Sequence, residues 1–146
     1  MMRALVLVLA VAACAPSDSP TQEGGRQTLP APTPEDVGLR ISAEQDGQTI
    51  EVGVNQRFAI ELVGVPTAGY VWQPAQLPEF LTRAGEASGP TRAEQREPGY
   101  AGGRHWEVLM FAATGPGTGE LLIEQRRPWE TDVAPAASFR VTIVAR

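Results

Sequence analysis

The sequence contains few of the residues that build covalent, catalytic or metal-bound sites. Its 146 residues include one cysteine, Cys14, and one histidine, His105. A disulfide needs a second cysteine, and a metal site needs grouped ligands, which His105 does not have nearby in the sequence. A Ser-His-acid arrangement would have to draw on the scattered Ser42, Ser88 or Ser138. We therefore expect no disulfide, no metal or other cofactor, and no enzyme activity.

Lysine is absent, and acidic residues outnumber basic ones. All 12 basic residues are arginines, against 17 acidic residues, and the formal net charge is −5. Nucleic-acid-binding surfaces are normally rich in basic charge. Nucleic acid is therefore not an expected partner.

A sustained apolar run occurs only near the start of the chain. Residues 4–13 are apolar and follow Arg3, and the run is the right length for a secretory signal but too short to span a bilayer. It ends in Val-Ala-Ala-Cys at residues 11–14, which resembles the signal of bacterial lipoproteins. The resemblance implies a signal peptide at residues 1–13 and a lipid on Cys14, the new N-terminus. The alternative is a plain signal peptide cleaved nearby.

A lipid on Cys14 would place the protein in the bacterial cell envelope. With no second apolar span, the membrane contact would be through the N-terminal lipid only. Ala15 stands where an aspartate would resemble an inner-membrane retention signal. We therefore expect the outer membrane, with the protein facing the periplasm or the surface.

The composition changes near residue 38. Residues 14–37 are rich in Pro, Ser, Thr, Gln and Gly, and this composition predicts a disordered tether. Residues 38–146 have the length and apolar content of one compact domain. We expect a single domain, and by default a monomer.

Short alternating segments dominate this domain. Period-two alternation in residues 57–62, 106–110 and 139–143 is typical of strands, and no segment has a convincing helical period. Asp46-Gly47 predicts a tight hairpin turn between strands at residues 39–41 and 50–52. The spacing favours an all-β fold, an immunoglobulin-like antiparallel β-sandwich of about seven to eight strands.

Three segments interrupt the strands: residues 65–70 (the first segment), 101–103 (the second segment) and 127–129 (the third segment). Two predicted strand passages separate each segment from the next, so in an antiparallel arrangement all three lie at one end of the sandwich. Taken alone, the first segment is most simply interpreted as a turn between two strands, and Tyr70 and Trp72 as residues that support the loop or the core. Trp129 beside a proline is as consistent with packing as with binding.

Together the three segments resemble the chagasin family of cysteine-peptidase inhibitors. That family carries an Asn-Pro-Thr-Thr-Gly-aromatic loop, a Gly-x-Gly-Gly loop and an Arg-Pro-Trp loop in this order on an immunoglobulin-like domain. This sequence departs from the family pattern at three positions. In the first loop, Val65 replaces the asparagine and Ala68 replaces the second threonine. In the second loop, Tyr100 replaces the first glycine. Val65 also lacks a side chain that could brace the loop by hydrogen bonds.

The resemblance implies a reversible, competitive inhibitor of papain-like cysteine peptidases. The first segment would lie over the catalytic centre of the peptidase, with the second on one side and the third on the other. The residues implied to bind the peptidase are Pro66, Thr67, Ala68, Gly69, Tyr70, Ala101, Gly102, Gly103, Arg127, Pro128 and Trp129.

The alternative is a non-inhibitory envelope lipoprotein that holds another periplasmic or surface protein. An inhibitor predicts that Thr67 and Trp129 are exposed side by side, whereas a scaffold allows Trp129 to fold back into the sandwich.

Overall fold

The computed structural model of the chain describes residues 28–146. The predicted signal peptide, Cys14 and the first part of the predicted tether lie outside the described residues. Within residues 28–146 there is no α-helix, and so no helix that is long and apolar enough to cross a membrane.

Eight strands form the domain, as the alternating segments predict. They are β1 Leu39–Ser42, β2 Thr49–Val52, β3 Arg57–Gly64, β4 Val71–Gln76, β5 Leu81–Pro90, β6 His105–Ala113, β7 Gly117–Arg126 and β8 Ala137–Ala145. Three single-turn 3-10 helices lie between them, at Ala43–Gln45, Pro66–Ala68 and Ala93–Arg96.

The strands form two four-stranded sheets. One sheet has the order β1-β3-β6-β5 and the other β2-β8-β7-β4. Most neighbours are antiparallel, but β1 pairs with β3 and β2 with β8 in parallel, so each sheet has one parallel pair at its edge. The predicted all-β sandwich is confirmed, with this departure from a purely antiparallel arrangement.

The predicted hairpin between β1 and β2 is wrong, because these strands lie in different sheets. Asp46-Gly47 does make a turn, but the turn attaches to β8 instead of folding β2 back on β1. The Asp46 carboxylate accepts from Arg140 N at 2.8 Å, and Gly47 N donates to Arg140 O at 2.7 Å. The chain is therefore carried from one sheet to the other.

The core lies between the sheets, on the inward-facing positions of both. The rings of Phe58 and Phe111, on paired positions of β3 and β6, have centroids 5.7 Å apart. Around them lie fully buried aliphatic side chains, among them Ile41, Ile60, Leu121, Ile123, Val141 and Ile143. This core is continuous from one sheet to the other, which makes the strands one domain.

The domain begins earlier than the predicted boundary at residue 38. Residues 28–37, which we call the N-terminal strap, cross the outer face of the β1-β3-β6-β5 sheet. Val37 is fully buried there, beside Ala59, Val108 and Met110. Thr33 is also buried and donates a hydrogen bond to Glu61. The proline-rich composition predicted a disordered tether, but Val37 and Thr33 attach this part of it to the sheet.

The strand order brings the three segments to one end of the sandwich, which we call the loop end. β4 and β5 separate the first segment from the second, and β6 and β7 separate the second from the third. An even number of passages returns the chain to the same end each time. The contacts described below confirm that the segments meet.

Candidate functional site

The first segment is a compact, hydrogen-bonded turn. Pro66 begins the 3-10 turn, and Gly69 ends it in the left-handed region at φ +82°. Ala68 N donates to Val65 O at 3.0 Å, Gly69 N to Pro66 O at 2.9 Å, and a bridge between Val65 and Tyr70 closes the base. Pro66, Thr67 and Ala68 are exposed at the tip. The first segment is thus a turn, and it presents residues 66–68 outward.

The side chain of Arg127 supports the first segment, which lacks the asparagine side chain that could brace it. Val65 precedes the turn and makes no side-chain cap. Instead, the Arg127 guanidinium crosses from the third segment and donates through Nε to Ala68 O at 3.0 Å. The same guanidinium lies over the Tyr70 ring at 4.5 Å and pairs with Glu130 at 3.0 Å. Tyr70 therefore supports the loop, and Arg127 ties the first segment to the third.

Trp129 projects from the third segment and is 68% exposed. The far edge of its indole lies over Gly69, where a Cβ atom would collide with the ring. Pro128 beside it is also exposed. Trp129 does not fold back into the sandwich, and it stands next to the exposed tip that carries Thr67.

The second segment lies on the other side of Thr67. A Cβ atom built on Gly102 would lie 3.9 Å from Thr67 Oγ1, so the two segments are neighbours. Gly102 and Gly103 both have positive φ, +83° and +89°. Ala101 is exposed, and Tyr100, 49% exposed, covers the space above Gly103. The first segment is thus in the middle, with the second and third segments flanking it.

A network of polar side chains holds the base of the second segment. Thr91 Oγ1 donates to Arg104 O at 3.0 Å, and Gln95 Nε2 donates to the same oxygen at 2.8 Å. Gln95 Oε1 accepts from Thr91 N at 2.7 Å. The two stems of the β5–β6 connection are therefore joined through Thr91 and Gln95.

Glu107 supports the first segment from inside the sandwich. Its Oε2 accepts from Trp72 N at 2.8 Å, which links β6 to the start of β4 in the other sheet. Its Oε1 is buried and has no hydrogen-bond partner in the described chain. Burial raises the pKa of Glu107 above its ordinary value, and the Trp72 hydrogen bond and the charge of His105 oppose that rise only in part. The carboxylate lies against Gly64 and occupies the position that a Cβ atom on this residue would take.

These supporting residues were missed in the sequence. Thr91 and Gln95 lie in a segment with no strand or motif pattern, and no signal there would have selected them. Glu107 did carry a signal, because it occupies an inward position of β6, in the same alternation as Leu109 and Phe111. A carboxylate at such a position needs a partner.

His105 lies at the base of the second segment. Its Nδ1 is 3.3 Å from Gly103 O. None of Ser42, Ser88 and Ser138 makes a hydrogen bond with it in the described chain. Across residues 28–146, no three His, Cys, Asp or Glu side chains are grouped as a metal site.

Two solved structures are similar to this fold, and one of them is a cysteine protease inhibitor. A crystal structure of the cysteine protease inhibitor EhICP2 from Entamoeba histolytica is 21% identical, with a TM-score of 0.62 over 74% of this chain and 95% of that one. The solution structure of Amebosin is 23% identical, with a TM-score of 0.59 over 74% and 97%. At such identities the likeness establishes the fold, which is the immunoglobulin-like sandwich expected from the strand spacing. No curated protein matches the sequence.

The family is established by the sequence itself. The profile of the Chagasin family peptidase inhibitor I42 matches residues 51–143, from β2 into β8, and so includes all three segments. Members of this family are peptidase inhibitors and not enzymes, which confirms the expectation that the chain has no catalytic activity of its own. The chain belongs to the chagasin family of peptidase inhibitors.

Proposed function

We propose that the protein is a reversible, competitive inhibitor of papain-like cysteine peptidases, and that its three segments enter the active-site cleft together. The observation that carries this proposal is the exposure of Thr67 and Trp129 next to each other at the loop end, with Gly69 between them. Family membership supplies the class of target.

The spatial order of the three segments suits their insertion into a cleft. Pro66, Thr67, Ala68 and Gly69 form the central tip, which would occupy the catalytic centre. Gly102 flanks the tip on one side, where the lack of a side chain allows a close backbone approach, and Ala101 and Gly103 extend that surface. Arg127, Pro128 and Trp129 flank it on the other side, where the exposed indole offers a large apolar anchor.

The rigidity of the site favours tight binding. The central turn is held by its own backbone hydrogen bonds and by Arg127, so little conformational entropy remains to be lost on docking. The exposed tip offers proline, threonine, alanine and tryptophan side chains, none of which is an electrophile. Inhibition would therefore be non-covalent and reversible.

The scaffold alternative has no specific support. It allowed Trp129 to pack back into the sandwich, and the indole is exposed instead. A role in binding another envelope protein would be favoured only if the inhibition experiment were negative.

The test is a titration of active-site-quantified papain and of a cathepsin L-type enzyme. The protein would be the chain from Ala15 to Arg146, which lacks the proposed lipid and keeps the N-terminal strap. We expect saturable competitive inhibition. Thr67→Asp should weaken it at least roughly 100-fold, because an unpaired carboxylate would be buried in the cleft. Trp129→Ala should weaken it about 30-fold, as for an interface hot spot.

A matched control is Leu77→Ala. Leu77 is also exposed and apolar, at 38%, but it follows β4 at the opposite end of the sandwich. Its substitution should leave inhibition unchanged. No inhibition of either enzyme at micromolar concentrations would overturn the proposal.

We also propose that the protein is anchored in the bacterial envelope by a lipid on Cys14, after removal of residues 1–13. The support is the Val-Ala-Ala-Cys sequence at residues 11–14 that follows a short apolar run. Ala15 favours the outer membrane.

A further inference from the structure

We propose that the N-terminal strap is a positioning element of the inhibitory edge, and that it acts by holding the second segment in place. The expected effect on inhibition rests on the proposed function, but the effect of the strap on the second segment can be tested separately. It makes residues 28–37 part of the inhibitor and not a passive spacer.

The strap begins at the loop end. Thr28 forms a bridge with Arg92, and Leu29 N donates to Thr91 O at 2.8 Å. The Trp106 indole donates through Nε1 to Leu29 O, also at 2.8 Å. Both backbone groups of Leu29 are thus engaged, one by each side of the β5–β6 connection.

These contacts continue directly to the second segment. Thr91, whose carbonyl is held by Leu29, uses its hydroxyl to bind Arg104 O. Gln95 binds the same oxygen and lies beneath Gly103, where a Cβ atom would come within 3.0 Å of its Nε2. A continuous set of hydrogen bonds therefore runs from the strap to Arg104, the residue that follows Gly103.

The second segment needs such support more than the first. The connection from residue 91 to residue 104 contains one short 3-10 turn, Ala93–Arg96, and three glycines with positive φ. Glycine has the largest backbone freedom to lose, and long connections without regular structure are costly to order. Bracing from outside would lower the entropy that binding must otherwise remove.

The strap is itself firmly attached, so it can act as a brace. Pro32 packs over Gly89, where a Cβ atom would lie 3.2 Å from the proline ring. Farther along, Val37 is fully buried and Asp36 pairs with Arg57 at the first residue of β3, at the end opposite the loops. The strap thus spans the sheet from the loop end to the opposite end.

The experiment compares Trp106→Phe and Thr91→Val with the unmodified protein, in the chain from Ala15 to Arg146. Trp106→Phe removes the donor to Leu29 but keeps an aromatic ring. Thr91→Val removes the hydroxyl that binds Arg104 and keeps the shape. Backbone hydrogen exchange over residues 91–104 should become about 5-fold faster in both variants, as expected for the loss of one hydrogen bond. Inhibition should weaken by a similar factor, through slower association and faster dissociation.

The matched control is Glu51→Gln, which removes an ion pair with Arg146 at the opposite end of the sandwich and outside the strap. It should change neither exchange in residues 91–104 nor inhibition. Melting temperature and exchange in the first segment, measured for every variant, separate local loosening from general destabilisation.

Each outcome decides the inference. Unchanged exchange over residues 91–104 in Trp106→Phe overturns it, whatever the result for Thr91→Val and even if inhibition is weakened. Faster exchange with unchanged inhibition also overturns it, because the segment would then not need positioning. If the unmodified protein inhibits neither peptidase, the proposed function fails, while the exchange data still show whether the strap holds the segment.

Discussion

Gly69 meets two requirements at the same position. Its φ of +82° is unfavourable for residues with a side chain, and the indole of Trp129 occupies the space where a Cβ atom would lie. We predict that Gly69→Ala displaces Trp129 and weakens inhibition at least 10-fold. The backbone strain alone would cost roughly 1–2 kcal/mol of stability. Peptidase titration and urea unfolding measure the two effects.

Gly47→Ala is the matched control for this prediction. Gly47 has nearly the same φ, +76°, but no atom lies within 4 Å of the position its Cβ would take. It should lose similar stability and keep full inhibition. Equal inhibition by the two variants would show that the contact between Gly69 and Trp129 has no role in binding.

At this scale, the sequence revealed the residues that shape the chain more readily than those that support it. Pro66, Gly69 and Trp129 could be recognised because their backbone or surface properties are unusual wherever they occur. Thr91 and Gln95 could not, because a threonine or glutamine acquires its role only from the partners that folding brings to it.

The inward-facing side chains of β6 change from apolar to polar along the strand. Its inward positions are Leu109 and Phe111 in the core but His105 and Glu107 at the loop end. Glu107 faces a cleft between β4 and β5 that is also lined by Arg83, Glu86 and His105. The strand therefore places a partly desolvated carboxylate directly beneath the first segment.

The raised pKa of Glu107 predicts a pH dependence of stability. Burial disfavours the charged form in the folded state, so the contribution is fully favourable below the ordinary carboxyl pKa of 4.5 and is lost as pH rises through the raised value. We predict that Glu107→Gln removes this loss. The difference in unfolding free energy between the variant and the unmodified protein should grow in favour of the variant as pH rises, and then become constant.

Urea unfolding between pH 4 and pH 8 measures this difference. Glu120→Gln serves as the control, since Glu120 is exposed on β7 and should show no comparable trend. A flat difference for Glu107→Gln across this range would contradict the prediction.

Strand positions were predictable, but strand partners were less so. Alternation in β3, β6 and β8 reflects one buried face, which a sequence shows directly. The partner of β1 depends on contacts with residues far along the chain. Asp46-Gly47 has the composition of a hairpin turn, yet it binds Arg140 and takes β2 to the other sheet. Local turn chemistry could not distinguish the two results.

For the whole molecule, the limit of the domain was the least predictable feature. The composition of residues 28–37 resembles that of the residues before them, and only Leu29, Ala31 and Val37 hint at a packed segment. The packing of Ala31 and Val37 depends on the apolar outer face of a sheet formed by strands that come later in the chain. Composition alone therefore left residues 28–37 outside the domain, although they pack on its sheet.

The proposed lipid anchor predicts where the whole molecule is found. The unmodified protein, expressed in a Gram-negative bacterium, should sediment with the outer membrane and incorporate labelled palmitate. Cys14→Ser should lose the label and appear in the soluble periplasmic fraction. A soluble, unlabelled form of the unmodified protein would instead support a plain signal peptide.

The position of Thr28 has a consequence for how an anchored inhibitor would face its surroundings. Because the strap begins at the loop end, the chain towards Cys14 departs beside the binding edge and not from the opposite end. Thirteen residues lie between Cys14 and Thr28 in sequence, a reach of at most roughly 50 Å. A captured peptidase would therefore share the narrow space next to the lipid surface, and enzymes that are themselves close to that surface would be intercepted most readily.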